Sequence, residues 1–173
     1  MSSLHIDTVH MNERTLLCAR HIGPYHGIGA AFESLERELS RLGIKAEAMI
    51  AIYHDNPELV AQESLRSDAA AQVSPSDLIA ASTLMPLTLE AGKFARWTHK
   101  GPYSELHQTW QAGYRSLAAR GLQAKGVCYE EYLNDPCHTK PDELLTAIYQ
   151  RIESAKAHVE IRTSYFCVFF KTS

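Results

Sequence analysis

A glutamate in the middle of an apolar, aromatic stretch is the feature of this sequence best suited to chemistry. The stretch is Val127-Cys128-Tyr129-Glu130-Glu131-Tyr132-Leu133, closed by Asn134-Asp135-Pro136. Its composition reads as a strand ended by turn residues. Side chains alternate along a strand, so Cys128, Glu130 and Tyr132 share one face, while Val127, Tyr129, Glu131 and Leu133 share the other. Glu130 is thereby expected where a globular domain keeps apolar or ligand-facing groups, and Glu131 in solvent. A desolvated carboxylate needs a partner, and a bound cation satisfies it.

Tyr53, Tyr132, Phe94, Trp97, Tyr103 and Trp110 are the candidate aromatic walls around that acid. A cation over a ring face gains about 0.5–2 kcal/mol per contact. Flat walls demand little of a guest beyond charge and an apolar body, so such a site tolerates many ligand shapes. For each ring the competing role is core packing. Trp110 suits both roles, being apolar yet carrying an N–H. Catalysis is the alternative use of the acid. No Ser-His-Asp or Cys-His arrangement is legible, which leaves Glu130 as a general base on water in a small-molecule hydrolase, with a nearby tyrosine assisting.

Other chemistries find less support. The nine histidines are scattered without HxxxH or HExxH spacing, so neither a metal nor a cofactor is expected. Cys18, Cys128, Cys137 and Cys167 show no CxxC pair, and a disulfide framework is not expected. A formal net charge of −3 offers no electrostatic case for nucleic acid. No apolar run reaches the ~20 residues of a membrane span, and the first residues lack a signal-peptide apolar region. Hydrophobic content of 45% and charged content of 21% are those of a soluble globular protein, for which the cytoplasm is the default.

The elements that must position Glu130 form a pattern. Arg14 to Arg20 reads as a strand, followed by the turn His21-Ile22-Gly23-Pro24-Tyr25. From Gly27 to Leu42, apolar residues fall at Ile28, Phe32, Leu35, Leu39 and Leu42, one face of a helix. Strands over 48–54 and near 66–73 follow. Then Gly92 to Thr98 reads as a strand, and His99-Lys100-Gly101-Pro102-Tyr103 echoes the earlier turn 78 residues on. At the same offset Phe32 maps to Trp110, Leu39 to Leu117 and Gly43 to Gly121; with one residue inserted, Tyr53 maps to Tyr132 and Pro57 to Pro136. Such landmarks in register predict two fused copies, about 14–73 and 92–152, related by a pseudo-twofold axis. Each copy is a small sheet with a helix on one face, and the opposite faces are expected to form a shared trough. Glu130 breaks the pseudo-symmetry, since Ala51 takes its place in the first copy. Pro141 to Leu145 reads as one helical turn, Ala147 to Ile152 as a strand and Glu153 to His158 as helical. Residues 153–173 form an extension whose apolar run Tyr165-Phe166-Cys167-Val168-Phe169-Phe170 suits an extra strand or a homodimer contact.

As a set, these residues resemble the GyrI-like family, the bacterial effector-binding domain. The matching pieces are His21 to Tyr25, Ile52-Tyr53-His54-Asp55-Asn56-Pro57 with Leu65-Arg66-Ser67-Asp68, His99 to Tyr103, and Tyr129 to Pro136. The resemblance implies an α+β fold of two βαββ units, an antiparallel sheet and a cleft with a functional glutamate at Glu130. Its members include ligand-sensing domains of multidrug and AraC-type transcription regulators, gyrase-modulating proteins, and hydrolases of cyclopropane-bearing compounds. The expected function is therefore a binding module for amphipathic, often cationic small molecules, with hydrolysis or gyrase modulation as alternatives. With no helix-turn-helix ahead of residue 14, direct DNA binding is not expected; a regulator or gyrase is the partner protein implied.

Deleting residues 159–173 is expected to change the oligomeric state or the solubility of the protein. Sedimentation velocity reads this directly, and an unchanged soluble species would remove any structural role for the extension.

Overall fold

The computed structural model describes residues 4–80 and 83–154. Its strands are β1 (Asp7–Met11), β2 (Arg14–Ile22), β3 (Ala48–Tyr53), β4 (Arg66–Gln72), β5 (Met85–Leu89), β6 (Gly92–Lys100), β7 (Leu122–Tyr132) and β8 (Leu145–Ser154). Helix α1 (Gly29–Leu42) lies between β2 and β3, and α2 (Leu106–Ala119) between β6 and β7. All eight strands join one antiparallel sheet in the order β1-β6-β8-β7-β3-β4-β2-β5. The element order β2-α1-β3-β4 recurs as β6-α2-β7-β8, and the two sets meet where β3 pairs with β7. This is the α+β architecture expected from the sequence.

Helix α1 buries Ala31, Leu35 and Leu39 against Leu17, Ala69, Ala71 and Val73. Alanines on β4 let the helix lie close to the sheet. Helix α2 buries Leu106, Trp110, Tyr114 and Leu117 with Ala51, Trp97, Cys128 and Ile148. Register then fixes which sheet face this is. Ala51 pairs with both Ala69 and Glu130, and Met49 with both Ala71 and Tyr132, so these residues point to one side. Both helices cross that side.

The trough expected on the helix-free side is therefore misplaced: Glu130 lies beneath the helices, and its cleft opens between them. The opposite face carries its own packed cluster, with Leu16, Ile50, Ile52, Phe94, Tyr129 and Tyr149. Glu131 points into that side rather than into water. Its Oε2 accepts from Arg14 Nη1 at 2.8 Å, and the side chain is only 19% exposed. A charge facing a packed surface is held by an opposite charge, which local alternation does not reveal.

Two short strands escape the sequence reading. β1 and β5 close the two ends of the sheet, and β5 contains Pro86, which an edge strand tolerates. Glu153 and Ser154 continue β8 instead of starting a helix. The helical turn expected from Pro141 is a 3-10 turn over Pro141–Glu143. The predicted extra strand or dimer contact at Tyr165–Phe170 lies outside the described residues. Within them, no helix is long and apolar enough to cross a membrane.

Asp68, 1% exposed, ties β4 to its neighbours: it accepts from Arg20 Nε at 2.5 Å and pairs with His54 Nε2 at 2.6 Å. Burial alone would raise this carboxyl, but the hydrogen bonds from His54 and Arg20 outweigh it and hold the group below its ordinary value. Its stabilising contribution is present above the unfolded pKa of about 3.9 and is lost as pH falls through the lower folded-state value. Asp68→Ala is expected to cost about 2–3 kcal/mol near neutrality. Urea denaturation at neutral and acid pH checks this, with the difference between wild type and variant shrinking in acid.

Candidate ligand-binding site

Glu130 sits on β7 directly across from Ala51, whose small side chain leaves the carboxylate room, and it is 2% exposed. Three donors converge on it. Trp110 Nε1 donates to Oε1 at 2.5 Å, and Tyr53 and Tyr132 hydroxyls donate to Oε2 at 2.9 Å and 3.1 Å. Each donor comes from a different element: Trp110 from α2, Tyr53 from β3 and Tyr132 from the end of β7. Burial pushes the Glu130 carboxyl above its ordinary value, and the three hydrogen bonds offset that only in part. Burial and then the neighbouring Glu130 charge push the Tyr53 and Tyr132 hydroxyls well up, so both stay protonated donors. Among the described residues no Lys, Arg or His pairs with Glu130. Its charge is hydrogen-bonded but not neutralised.

The acid lies at a cleft of about 1510 Å³, larger than most small-molecule pockets. Phe32 of α1, Met49 and Tyr53 of β3, Tyr103 ahead of α2 and Tyr132 line it. The rings brace one another: Tyr132 meets Tyr103 at 5.3 Å and Phe32 at 5.6 Å between centroids. Tyr25 stands edge-on to Tyr53 at 4.9 Å, and its hydroxyl is fixed on the Asp55 backbone. The His21 and His99 rings hydrogen-bond the carbonyls of Pro24 and Pro102 and so set the turns that deliver Tyr25 and Tyr103.

Of the residues singled out in the sequence, Glu130, Tyr132, Tyr53 and Tyr103 meet in this cleft. Trp110 is fully buried behind the acid, stacked on Tyr114 at 5.7 Å, and acts on Glu130 rather than as a wall. Trp97 is a layer deeper, edge-on to Trp110 at 5.5 Å. Phe94 lies on the other side of the sheet against Tyr129. Phe94 and Trp97 are three apart on β6, so strand alternation already forbids them a common face. Phe32 and Met49 escaped notice as cleft residues. The signal for Phe32 was its place matching Trp110 in the repeat; Met49 carries none, since its role follows from its pairing with Tyr132. Among the described residues, no group of three or more His, Cys, Asp or Glu is placed to hold a metal ion.

This arrangement holds a negative charge ready in a roomy aromatic cleft. Residues 5–153 match the family model of the GyrI-like small molecule binding domain. A DNA gyrase inhibitor of Edwardsiella piscicida is 32% identical over 126 residues, 69% of this chain and 81% of that protein. The crystal structure of the EcmrR C-terminal domain superposes with a TM-score of 0.74 at 15% identity, covering 87% of this chain and 98% of that one. The structure of SAV2435 bound to tetraphenylphosphonium gives a TM-score of 0.61 at 10% identity, covering 87% and 94%. The match covers nearly all the described residues, and the chain belongs to the family of GyrI-like small molecule binding domains.

Proposed function

We propose that the protein binds lipophilic organic cations in the cleft between α1 and α2, with Glu130 as the counter-charge. The observation that carries this reading is a buried, hydrogen-bonded carboxylate on the floor of an aromatic cleft, with no cationic partner among the described residues. A guest cation supplies the missing charge, and Tyr103, Tyr132 and Phe32 offer ring faces and apolar area. The width of the cleft suits multi-ring guests. The tetraphenylphosphonium held by SAV2435, a protein of the same fold, is a guest of this chemistry.

Tetraphenylphosphonium and the neutral triphenylphosphine oxide form the test pair, measured by calorimetry. Glu130→Gln is expected to weaken the cation by about 1–3 kcal/mol and to spare the neutral compound. Equal losses for both would mean that charge does not govern recognition.

The same site sets a pH dependence. Because the folded-state pKa of Glu130 is raised, the apo protein's stability contribution from this group is full below the unfolded value and falls as pH rises through the folded one. Cation binding selects the ionised form, so affinity rises with pH across that interval and complex formation releases protons. Calorimetry in buffers of different ionisation enthalpy measures the release. Zero release in mildly acidic buffer would place the ionised acid outside the binding equilibrium.

The Edwardsiella relative favours a second reading, in which the protein modulates DNA gyrase. Purified protein added to a supercoiling assay decides it: loss of supercoiling supports a gyrase partner, and full supercoiling at saturating protein removes one. Turnover of a cyclopropane-bearing compound by wild type but not Glu130→Gln would replace the binding reading with hydrolysis.

A further inference from the structure

A second cavity opens on the sheet face opposite the cleft, with a volume of about 480 Å³, within the range of small-ligand sites. Ile52, Leu87, Leu89 and Val127 form its apolar walls. Its shape traces to β7. The pairing of β7 with β8 slips between Ala124 and Cys128, and Gly126 adopts a left-handed φ of 72° within the slip. Such bulges loosen the pairing and re-aim side chains, and they recur beside functional sites.

Arg151 of β8 also lines this cavity. Its guanidinium lies so close to Gly92 that a Cβ there would stand 2.7 Å from Nη2. That Nη2 donates to the Ala91 carbonyl at 3.0 Å, and the group rests 5.8 Å from the centre of the Phe94 ring. None of these contacts carries a negative charge, and among the described residues no carboxylate pairs with Arg151. The other charges at the cavity are accounted for. Lys125 and Glu153 pair at 2.8 Å, His54 is held on Asp68, and Glu90 is exposed to water.

We propose that this cavity is a second binding site, for a small amphipathic carboxylate whose anionic head pairs with Arg151 while its apolar body lies against Ile52, Leu87, Leu89 and Val127. A held guanidinium presents its N–H groups as a fork that matches a carboxylate, and little side-chain freedom remains to be lost on binding. The site is opposite in sign to the cleft and uses the other faces of β3 and β7. Residues of these two strands thus line two sites, Tyr53 and Glu130 on one side and Ile52 and Val127 on the other.

The test titrates the full chain with phenylacetate and with its neutral counterpart phenylacetamide, followed by residue-resolved amide NMR. Phenylacetate is expected to give saturable shifts centred on Ile52, Gly126 and Val127, with phenylacetamide binding at least about tenfold more weakly. Arg151→Gln should weaken phenylacetate by the same factor, whereas Glu130→Gln on the far face should leave it unchanged. Leu87→Trp, on an edge strand, fills the cavity without removing Arg151 and should abolish the shifts. The proposal is overturned by an absence of saturable shifts at millimolar phenylacetate, by shifts centred on Phe32 and Tyr53, by equal binding of acid and amide, or by binding that survives Leu87→Trp in a folded variant.

Discussion

The energetic centre of this structure is a carboxylate taken out of water and surrounded by donors that do not neutralise it. Three hydrogen bonds to Glu130 satisfy much of its lone-pair capacity, so the folded chain tolerates the acid without a ligand. They leave its net charge in place. Burial raises the carboxyl's pKa, which means that an apo site can relieve itself by taking up a proton. A site that can take up a proton in this way is poised rather than strained.

The remaining architecture serves that condition. β3 and β7 place Ala51 beside the acid, α2 brings Trp110 down onto it from behind, and the two histidine-held turns deliver Tyr25 and Tyr103. Rings packed against one another form the walls of the cleft, and ring faces offer area and polarisation rather than directional hydrogen bonds. Trp110, Trp97 and Tyr114 give this wall a rigid backing in the core.

The two sides of the sheet divide the electrostatics. The cleft side holds an acid, Glu130, that no base pairs with among the described residues. The far side pairs several of its charges, Arg14 with Glu131 and Asp68 with Arg20 and His54, while among the described residues Arg151 and Arg96 are left with neutral contacts, Arg96 on the Tyr149 hydroxyl and ring. A sheet with packed faces on both sides needs such pairing, because an isolated charge against an apolar surface is costly. Of these unpaired groups, Glu130 and Arg151 are the ones that border a cavity.

Alternation along a strand is a local property of the backbone, and it alone put Glu130 and Tyr132 on one face and Val127 and Tyr129 on the other. The helix over Gly29–Leu42 was equally legible, since its apolar positions recur at the helical period whatever they pack against. Tertiary structure decided the rest. Parity along a strand says which side chains face together but not which side the helices cross, so the cleft emerged under α1 and α2 instead of on the bare face. Phe94 joined the far cluster, Trp110 became a hydrogen-bond donor rather than a wall, and Glu131 found Arg14 across 117 residues of chain. Those outcomes depend on contacts between segments distant in sequence, which no local period encodes.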